Sequence, residues 1–196
     1  ILYRLVGSEM CIRDSSNSWM FHTPTIEWTK LQSQSLKIPQ IIQNTKGVQD
    51  KELDDLFELI DKGKNQFSIE GVVTGALAST YQSTRIQKIC NDLNLWCFNP
   101  LWQMSQKTLL EELLENNIES IITGVAAEPF DDEWLGREID LECINDLIKF
   151  KESHRINPAG EGGEIESFVV NAPLFNSRLE IIQSKIHYSN YSGRLE

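Results

Sequence analysis

Short apolar runs alternate with amphipathic stretches along most of this chain, and this alternation limits the possible folds more than any other feature. Each predicted strand is followed by a predicted helix of about 10–15 residues, a spacing typical of right-handed strand–helix–strand units. The sequence therefore predicts an α/β protein with an open, mostly parallel sheet and flanking helices. The predicted helices cover residues 23–36, 50–61, 80–93 and 105–116, and the predicted strands cover residues 40–43, 69–74, 95–98 and 120–125.

The alternation changes after residue 125, which indicates a second, smaller domain. Residues 141–151 predict one more helix, and residues 167–170 and 179–186 predict two strands, as in a small α+β domain. Residues 1–15 show neither helical nor strand periodicity, and we interpret them as a non-native or disordered leader outside the fold. The predicted organisation is a leader at 1–15, an α/β domain at 16–128 and a small C-terminal substrate domain at 129–196.

Charge and cysteine usage exclude several functions. The chain has 29 acidic and 18 basic side chains, and a net charge of −11 opposes sequence-independent binding to nucleic acid. No apolar run approaches the ~20 residues that cross a bilayer. The four cysteines have no Cys-x-x-Cys spacing and the three histidines are dispersed, which predicts reduced thiols, a cytoplasmic location and no zinc site.

The segment EGVVTGALASTYQSTR, residues 70–85, joins a predicted strand to a predicted helix. Ligands of open α/β sheets lie beyond the carboxyl ends of the strands, where this segment turns. Gly75 lets the backbone approach a ligand, and the following helix start offers unpaired amide groups to an anion. Arg85 has the reach to bind a phosphate or a carboxylate. The alternative interpretation is a simple turn at Gly75, ordinary helix capping and an exposed arginine.

The segment GEGGEIES, residues 160–167, contains three glycines and three glutamates. Three neighbouring carboxylates repel one another unless a cation, a positive substrate group or an arginine lies among them. The segment therefore predicts a functional cluster of carboxylates. It is not a phosphate-binding loop by itself, and neither G-x-x-x-x-G-K-[ST] nor G-x-G-x-x-G occurs in the chain. Trp102 and Trp134, in predicted loops, either cover the core or offer an aromatic face to a quaternary ammonium group.

Four blocks in order carry a family resemblance: EGVVTGALASTYQSTRIQKIC, FNPLWQ, DDEWLGREID and AGEGGEIESFVVNAPLF. They resemble the diphthine–ammonia ligases (diphthamide synthetases), of the N-type ATP pyrophosphatase class, and the likeness runs from about Ser18 to Ile186. It implies a Rossmann-like fold of the adenine nucleotide α-hydrolase type. It also implies ATP and magnesium as cofactors, and amidation of diphthine on elongation factor 2 by ammonium through an acyl-adenylate.

The resemblance also assigns roles to residues of this chain. It implies that the residues after the strand at 69–74 contact the nucleotide, that the glutamates of residues 160–167 act in catalysis, and that Glu161 or Glu164 holds magnesium. We further hypothesise that Trp102 or Trp134, with a glutamate, holds the trimethylammonium group of diphthine. The implied nucleotide-binding residues are Gly75, Ala76, Ser79, Tyr81, Gln82 and Arg85. The implied catalytic residues are Glu161, Glu164 and Glu166. The implied substrate-binding residues are Trp102, Trp134, Arg137, Gly160, Gly162, Gly163 and Ser167.

The chain departs from the family pattern in one respect. The family has a phosphate loop, usually SGGKDS, after its first strand, and no such motif occurs here. This predicts an N-terminally truncated fragment that is inactive and poorly stable alone, derived from an active ligase. Two alternatives remain: a ligase of the same class that amidates another carboxylate, and a non-catalytic nucleotide- or protein-binding relative. The acidic charge disfavours thiolation of transfer RNA.

Overall fold

Two parallel pairs of strands, each connected through helices, form the first part of the chain. The computed structural model describes residues 7–12, 28–45 and 51–196. In each pair the strands run parallel in direct register, with Gly7 opposite Gln40 and Gly71 opposite Trp96. The strands are β1 (Gly7–Ile12), β2 (Gln40–Thr45), β3 (Gly71–Val73) and β4 (Trp96–Phe98), and the helices are α1 (Thr29–Leu36), α2 (Lys51–Phe67) and α3 (Thr80–Asp92).

Apolar side chains of α2 and α3 pack on one face of these strands. Because successive residues of a strand point to opposite faces, Val72 and Cys97 contact this core while their neighbours do not. Val73, Trp96 and Phe98 are each more than half exposed. The buried core of this part consists of Ile41, Leu56, Leu59, Ile60, Ile89, Cys90, Leu93 and Leu95.

The second part of the chain is an antiparallel sheet packed with two helices. Its strands lie in the order β6-β5-β8-β7, and every neighbouring pair is antiparallel. A short 3₁₀ helix at Asp132–Trp134 precedes α5. Helix α5 begins after Asp140, and the Asp140 carboxylate caps it by accepting a hydrogen bond from the backbone N–H of Cys143 at 2.8 Å. The elements are α4 (Gln106–Glu115), β5 (Glu119–Ala126), α5 (Leu141–His154), β6 (Ile165–Asn171), β7 (Ile186–Ser189) and β8 (Ser192–Leu195).

The predicted α/β class with a C-terminal α+β domain is confirmed, but the division of the chain differs from the prediction. The chain separates into two compact units, Ile1–Gln103 and Met104–Glu196, which we call the N-terminal and C-terminal units. The sequence placed the boundary at 128–129 because the helix and strand at 105–125 continue the same alternation. In the structure β5 pairs with β6 and β8, and Leu110 of α4 shares a core with α5.

Three further predictions of secondary structure need correction. Gly7–Ile12, placed in the leader, forms β1, whose backbone pairs in parallel with β2. Helix α2 continues past residue 61 through Gly63, where a side chain would come within 3.7–3.8 Å of two isoleucines. The last strands are β7 and β8, joined by a turn at Asn190 and Tyr191, both with positive φ, and residues 179–185 are not a strand.

The helix start predicted at Thr23 and Pro24 lies outside the described residues, and the described part of that helix is α1. Among the described residues, no helix combines the length and the apolar character needed to cross a membrane.

Candidate functional site

The carboxyl ends of β3 and β4 are tied together by polar contacts. The Thr74 hydroxyl donates a hydrogen bond to Oδ1 of Asn99, and the Thr74 backbone N–H donates to the carbonyl of Phe98 at 3.0 Å. After this point Gly75 is exposed, and a Cβ added to it would meet nothing within 4 Å. Ala76 is buried. The loop is therefore anchored on both sides of an open glycine at the strand edge where ligands of open α/β sheets bind.

Helix α3 begins directly after this loop. The Ser79 hydroxyl caps it by accepting from the backbone N–H of Gln82 at 3.3 Å, as the sequence predicts. The Arg85 guanidinium carbon lies 3.4 Å from the centroid of the Tyr81 ring, and its Nη1 donates to the Tyr81 carbonyl at 3.3 Å. Arg85 Nε is buried and has no hydrogen-bond acceptor within the described part of the chain. A buried N–H without an acceptor fits an anionic ligand, since an unmade hydrogen bond there is costly.

The acidic loop, residues 157–166 of the C-terminal unit, is organised around one carboxylate. Glu164 Oε1 accepts from the backbone N–H of Asn157 at 3.0 Å and from its side-chain Nδ2 at 2.8 Å. Oε2 accepts from the backbone N–H of Gly162 at 2.9 Å. Gln106 of α4 adds two contacts of 3.0 Å, to Oδ1 of Asn157 and to the backbone N–H of Ala159. Glu164 therefore holds the loop in shape, because N–H groups already bind both of its oxygens.

The three glutamates do not form the single cluster that the sequence predicted. Glu161 is exposed in the turn, Glu164 faces inward to its N–H donors, and Glu166 is a half-buried residue of β6 beside Gly124. Ser167 is exposed on β6 opposite Ile122. The N–H donors offset the charge of Glu164, and the three carboxylates differ in their environments.

Magnesium does not fit these residues. Both oxygens of Glu164 are engaged, Glu161 stands apart in the turn, and the residues that the structure describes include no group of three metal-binding side chains. A magnesium site built on Glu164 would need to replace the N–H contacts that shape the loop.

Two glycines of the acidic loop have positive φ, as their positions in the sequence suggested. Gly160 has φ +76° and Gly163 has φ +81°. A Cβ on Gly160 would lie 2.4 Å from the carbonyl oxygen of Ile165, whereas a Cβ on Gly163 would meet nothing within 4 Å. Gly162 is exposed, with its N–H committed to Glu164.

Trp134 is not available to a ligand. It is 6% exposed, and its ring lies 5.0 Å from that of Phe130 and 5.3 Å from that of Phe150. The Arg137 guanidinium carbon lies 4.5 Å from the Trp134 ring centroid, and Arg137 Nη2 is 2.8 Å from Oδ2 of Asp146. The prediction that Trp134 offers a free aromatic face is therefore wrong, because the ring is packed in the core and covered by the protein's own cation.

Arg137 is engaged within the C-terminal unit. Hydrogen bonds from Lys149 and then from Arg137 hold the pKa of Asp146 below its usual value. Burial works against the charge of Arg137, but its hydrogen bond to Asp146 and the negative charge nearby leave the pKa of Arg137 raised on balance. Arg137 thus connects the 3₁₀ helix to α5, through its contact with the Trp134 ring and its ion pair with Asp146.

Trp102 lies in a different environment. It is 37% exposed and lines an open groove of about 500 Å³ in the N-terminal unit. The other lining residues are mostly polar: Ser83, Thr84, Gln87, Lys88, Asn91, Asp92 and Asn99.

Sequence reasoning missed the residues that support these loops. Thr74 and Asn99 each follow a predicted strand, so the rule that parallel strands end at one edge could have paired them. Gln106 is separated from Asn157 by 51 positions, and nothing in a single sequence links them. The Asn157-Pro158 step before the glycines was the available signal for a structured turn.

The fold and its loops define a two-unit α/β protein with an open polar loop at the carboxyl end of parallel strands. Residues 5–96 match the family model "Diphthamide synthase N-terminal domain", and residues 105–196 match "Diphthamide synthase C-terminal domain". A bovine diphthine–ammonia ligase is 30% identical over 185 residues, which are 88% of this chain and 69% of that protein. The rat protein of the same name is 32% identical over 184 residues, which are 88% and 68% of the two chains.

A longer relative has the same name. The diphthine–ammonia ligase of Schizosaccharomyces pombe is 34% identical over 136 residues, 69% of this chain but 22% of that protein. The chain belongs to the diphthine–ammonia ligase family, as its sequence predicted, and thus to a family of enzymes that form carbon–nitrogen bonds.

Proposed function

We propose that the residues of this chain serve the ATP-dependent amidation of diphthine on elongation factor 2, which yields diphthamide. The diphthine carboxylate attacks the α-phosphate of ATP, so that a C–O–P linkage forms and pyrophosphate leaves. Ammonia then attacks the acyl carbon, and AMP leaves with the carboxyl oxygen. The observation that carries the proposal is that both halves of the chain match diphthamide synthase domains, in order and over nearly the whole length.

ATP would meet the N-terminal unit at the loop after β3. Gly75 leaves room for close approach, the first turn of α3 offers backbone N–H groups, and the buried Nε of Arg85 fits an anionic acceptor. Ala76, Ser79, Tyr81 and Gln82 would act mainly by shaping this edge. The triphosphate supplies the leaving group, and these residues position it.

The acidic loop would act on the cationic partners of the reaction. Glu161 is the exposed carboxylate of the loop and is the candidate to attract ammonium or the trimethylammonium group of diphthine. Glu164 acts indirectly, because it fixes the turn that presents Glu161. Glu166 and Ser167 belong to the adjoining strand and would border the same surface. No step is assigned to magnesium, since the described carboxylates do not form a site for it.

Trp102 is the remaining candidate for an aromatic contact with the trimethylammonium group. Its exposed ring lines a groove in which Asp92 is the one carboxylate and Lys88 the one ammonium group among the lining residues. A cation over an indole ring gains about 0.5–2 kcal/mol, depending on how far it is desolvated. The contact would add selectivity for diphthine over carboxylates that have no quaternary ammonium group.

The proposal is tested with a chimera, because the residues of this chain contain no motif of the SGGKDS kind. Residues 28–196 of this chain replace the matching region of the bovine ligase, which keeps its own preceding residues. The chimera should release AMP from ATP only with ammonium and with elongation factor 2 that carries diphthine. The matched control, Glu161→Gln, keeps the loop contacts and should lower the rate.

Three outcomes of this assay separate the candidates. AMP release that depends on diphthine supports the proposal. Equal turnover with small carboxylates favours a ligase of the same class with another substrate. A folded chimera that binds ATP without releasing AMP, beside an active bovine enzyme, contradicts catalysis and favours the non-catalytic relative.

A further inference from the structure

Cys90 and Cys97 meet in the core of the N-terminal unit, although their spacing in the sequence matches no motif. Cys90 lies on α3 and is fully buried. Cys97 is the central residue of β4, is half-buried, and packs against the same apolar cluster. The two residues therefore belong to one apolar cluster, and Cys97 is among the neighbours that raise the pKa of Cys90. The backbone N–H of Leu95 donates to the carbonyl of Cys90 at 2.8 Å, which holds the connecting turn close to the helix end.

We infer that Cys90 and Cys97 form a two-cysteine oxidation site, in which an oxidant of the peroxide class closes a reversible disulfide between α3 and β4. Both cysteines are free thiols that pack in one apolar cluster, and closing the disulfide brings their sulfurs to an S–S distance of about 2.05 Å. The cross-link would enclose only the residues between them, so little chain has to be rearranged.

The oxidation balances in two steps. The Cys97 sulfur, the more accessible of the two, attacks hydrogen peroxide: its S–H bond is replaced by S–O, the O–O bond breaks, and one water leaves. The Cys90 sulfur then attacks the Cys97 sulfur, the S–O bond breaks, and the leaving hydroxide departs as a second water with the Cys90 proton. The two thiols lose two electrons together, and one peroxide becomes two waters.

The burial of Cys90 fits its role as the second thiol. Burial, with further contributions from Cys97, raises the pKa of Cys90 to about 12, so Cys90 remains protonated near neutral pH. It reacts poorly with oxidants in solution but packs in the same cluster as the sulfur that it needs to attack. Cys143 is also buried, but it lies in the core of the C-terminal unit, with no other cysteine in that unit's sequence. Cys143 therefore provides an internal control for burial without a partner.

The disulfide would join two elements that both lead to the proposed nucleotide edge. Helix α3 begins at the Ser79 cap, and β4 leads directly to Asn99, which bonds Thr74. Oxidation would fix the helix against the strand and hold this edge in its present arrangement. The site does not depend on the proposed function, since it uses only the fold of the N-terminal unit.

The test measures how strongly the fold favours this disulfide. The complete chain carrying Cys11→Ser is equilibrated in glutathione redox buffers, folded and in urea, and the disulfide is measured by alkylation, proteolysis and mass spectrometry. The folded chain should give a Cys90–Cys97 cross-linked peptide with an equilibrium constant at least about tenfold above that in urea. Cys143 should stay reduced, and dithiothreitol should restore both thiols.

Two results would overturn the inference. One is an equilibrium constant for the disulfide that is no higher in the folded chain than in urea. The fold would then add nothing to the short separation of the two cysteines in the sequence. The other is peroxide treatment of the folded chain that oxidises Cys143 as readily as Cys97 and yields no cross-link. The Cys97→Ser variant, in which a half-buried residue changes, should lose the disulfide and keep the helical circular dichroism of the parent chain.

Discussion

Replacement of Gly160 by alanine should destabilise the C-terminal unit far more than the same change at Gly163. Both glycines have positive φ, so an L side chain at either position costs roughly 1–2 kcal/mol. At Gly160 the new Cβ would also lie 2.4 Å from the Ile165 carbonyl oxygen, a backbone atom that cannot move alone. Overpacking of this kind adds about 1–3 kcal/mol. The expected losses are therefore about 2–5 kcal/mol for Gly160→Ala and about 1–2 kcal/mol for Gly163→Ala.

The clash should spread into the sheet. Ile165 begins β6 and pairs with Val125, and the carbonyl of Glu164 accepts from the backbone N–H of Ala126 at 2.8 Å. Urea unfolding of the whole chain, followed by hydrogen exchange of peptides from residues 104–196, measures the effect. The urea midpoint of the Gly160 variant should fall roughly 1 M below that of the Gly163 variant. Equal midpoints would refute the claim that close packing against Ile165 requires this glycine.

Three other predictions follow from the packing. Trp134→Ala should cost about 3–5 kcal/mol in the free energy of unfolding. Trp102→Ala should cost less, because that side chain is 37% exposed, and should raise the KM of the chimera for diphthine; an unchanged KM would contradict the proposed ammonium contact. Gly71→Ala should change the fluorescence of Trp96, whose ring lies 2.0 Å from the position of the added Cβ, and an unaltered spectrum would mean that the ring does not rest on this glycine. Burial raises the pKa of Cys143 from 9.0 to about 11, so this thiol contributes stability below pH 9 that is lost as the pH rises to about 11. The free energy of unfolding, measured across that range, should therefore depend less on pH in Cys143→Ala than in the parent chain. Equal pH dependence of the two proteins would count against the burial effect.

The sequence predicted local structure well wherever one short-range signal determines it. Ser79 and Ser105 were expected at the starts of α3 and α4, and each hydroxyl accepts from a backbone N–H of its own first turn. These contacts depend on residues three positions apart, so a single sequence contains all the information they need.

Pairing between strands was harder to predict. The apolar run at 120–125 predicted β5, but the same run suits a parallel or an antiparallel neighbour when both faces are buried. Its partners in the structure, β6 and β8, follow much later in the sequence. The sequence therefore predicted a domain boundary after residue 128, whereas the structure divides after residue 103. The backbone pairing of β1 was missed for a similar reason, since it needs no side-chain pattern.

The acidic loop shows which part of a site the sequence can supply. The three glycines mark the segment as a loop, and Gly160 and Gly163 take positive φ there. The role of Glu164 could not be predicted, because its donors include the side chain of Asn157 and its support includes Gln106 from another helix. The sequence treated the three glutamates as equivalent, whereas the structure gives Glu164 its own N–H donors and leaves Glu161 exposed.

The central claim, that these residues amidate diphthine, is tested most directly by the transfer of nitrogen. The chimera is incubated with ATP, heavy-nitrogen ammonium and elongation factor 2 carrying diphthine, and the modified peptide is analysed by mass spectrometry. We expect one heavy nitrogen in the new carboxamide and one AMP released for each peptide converted. A diphthine peptide that gains no heavy nitrogen, under conditions in which the bovine ligase converts it, would contradict the account.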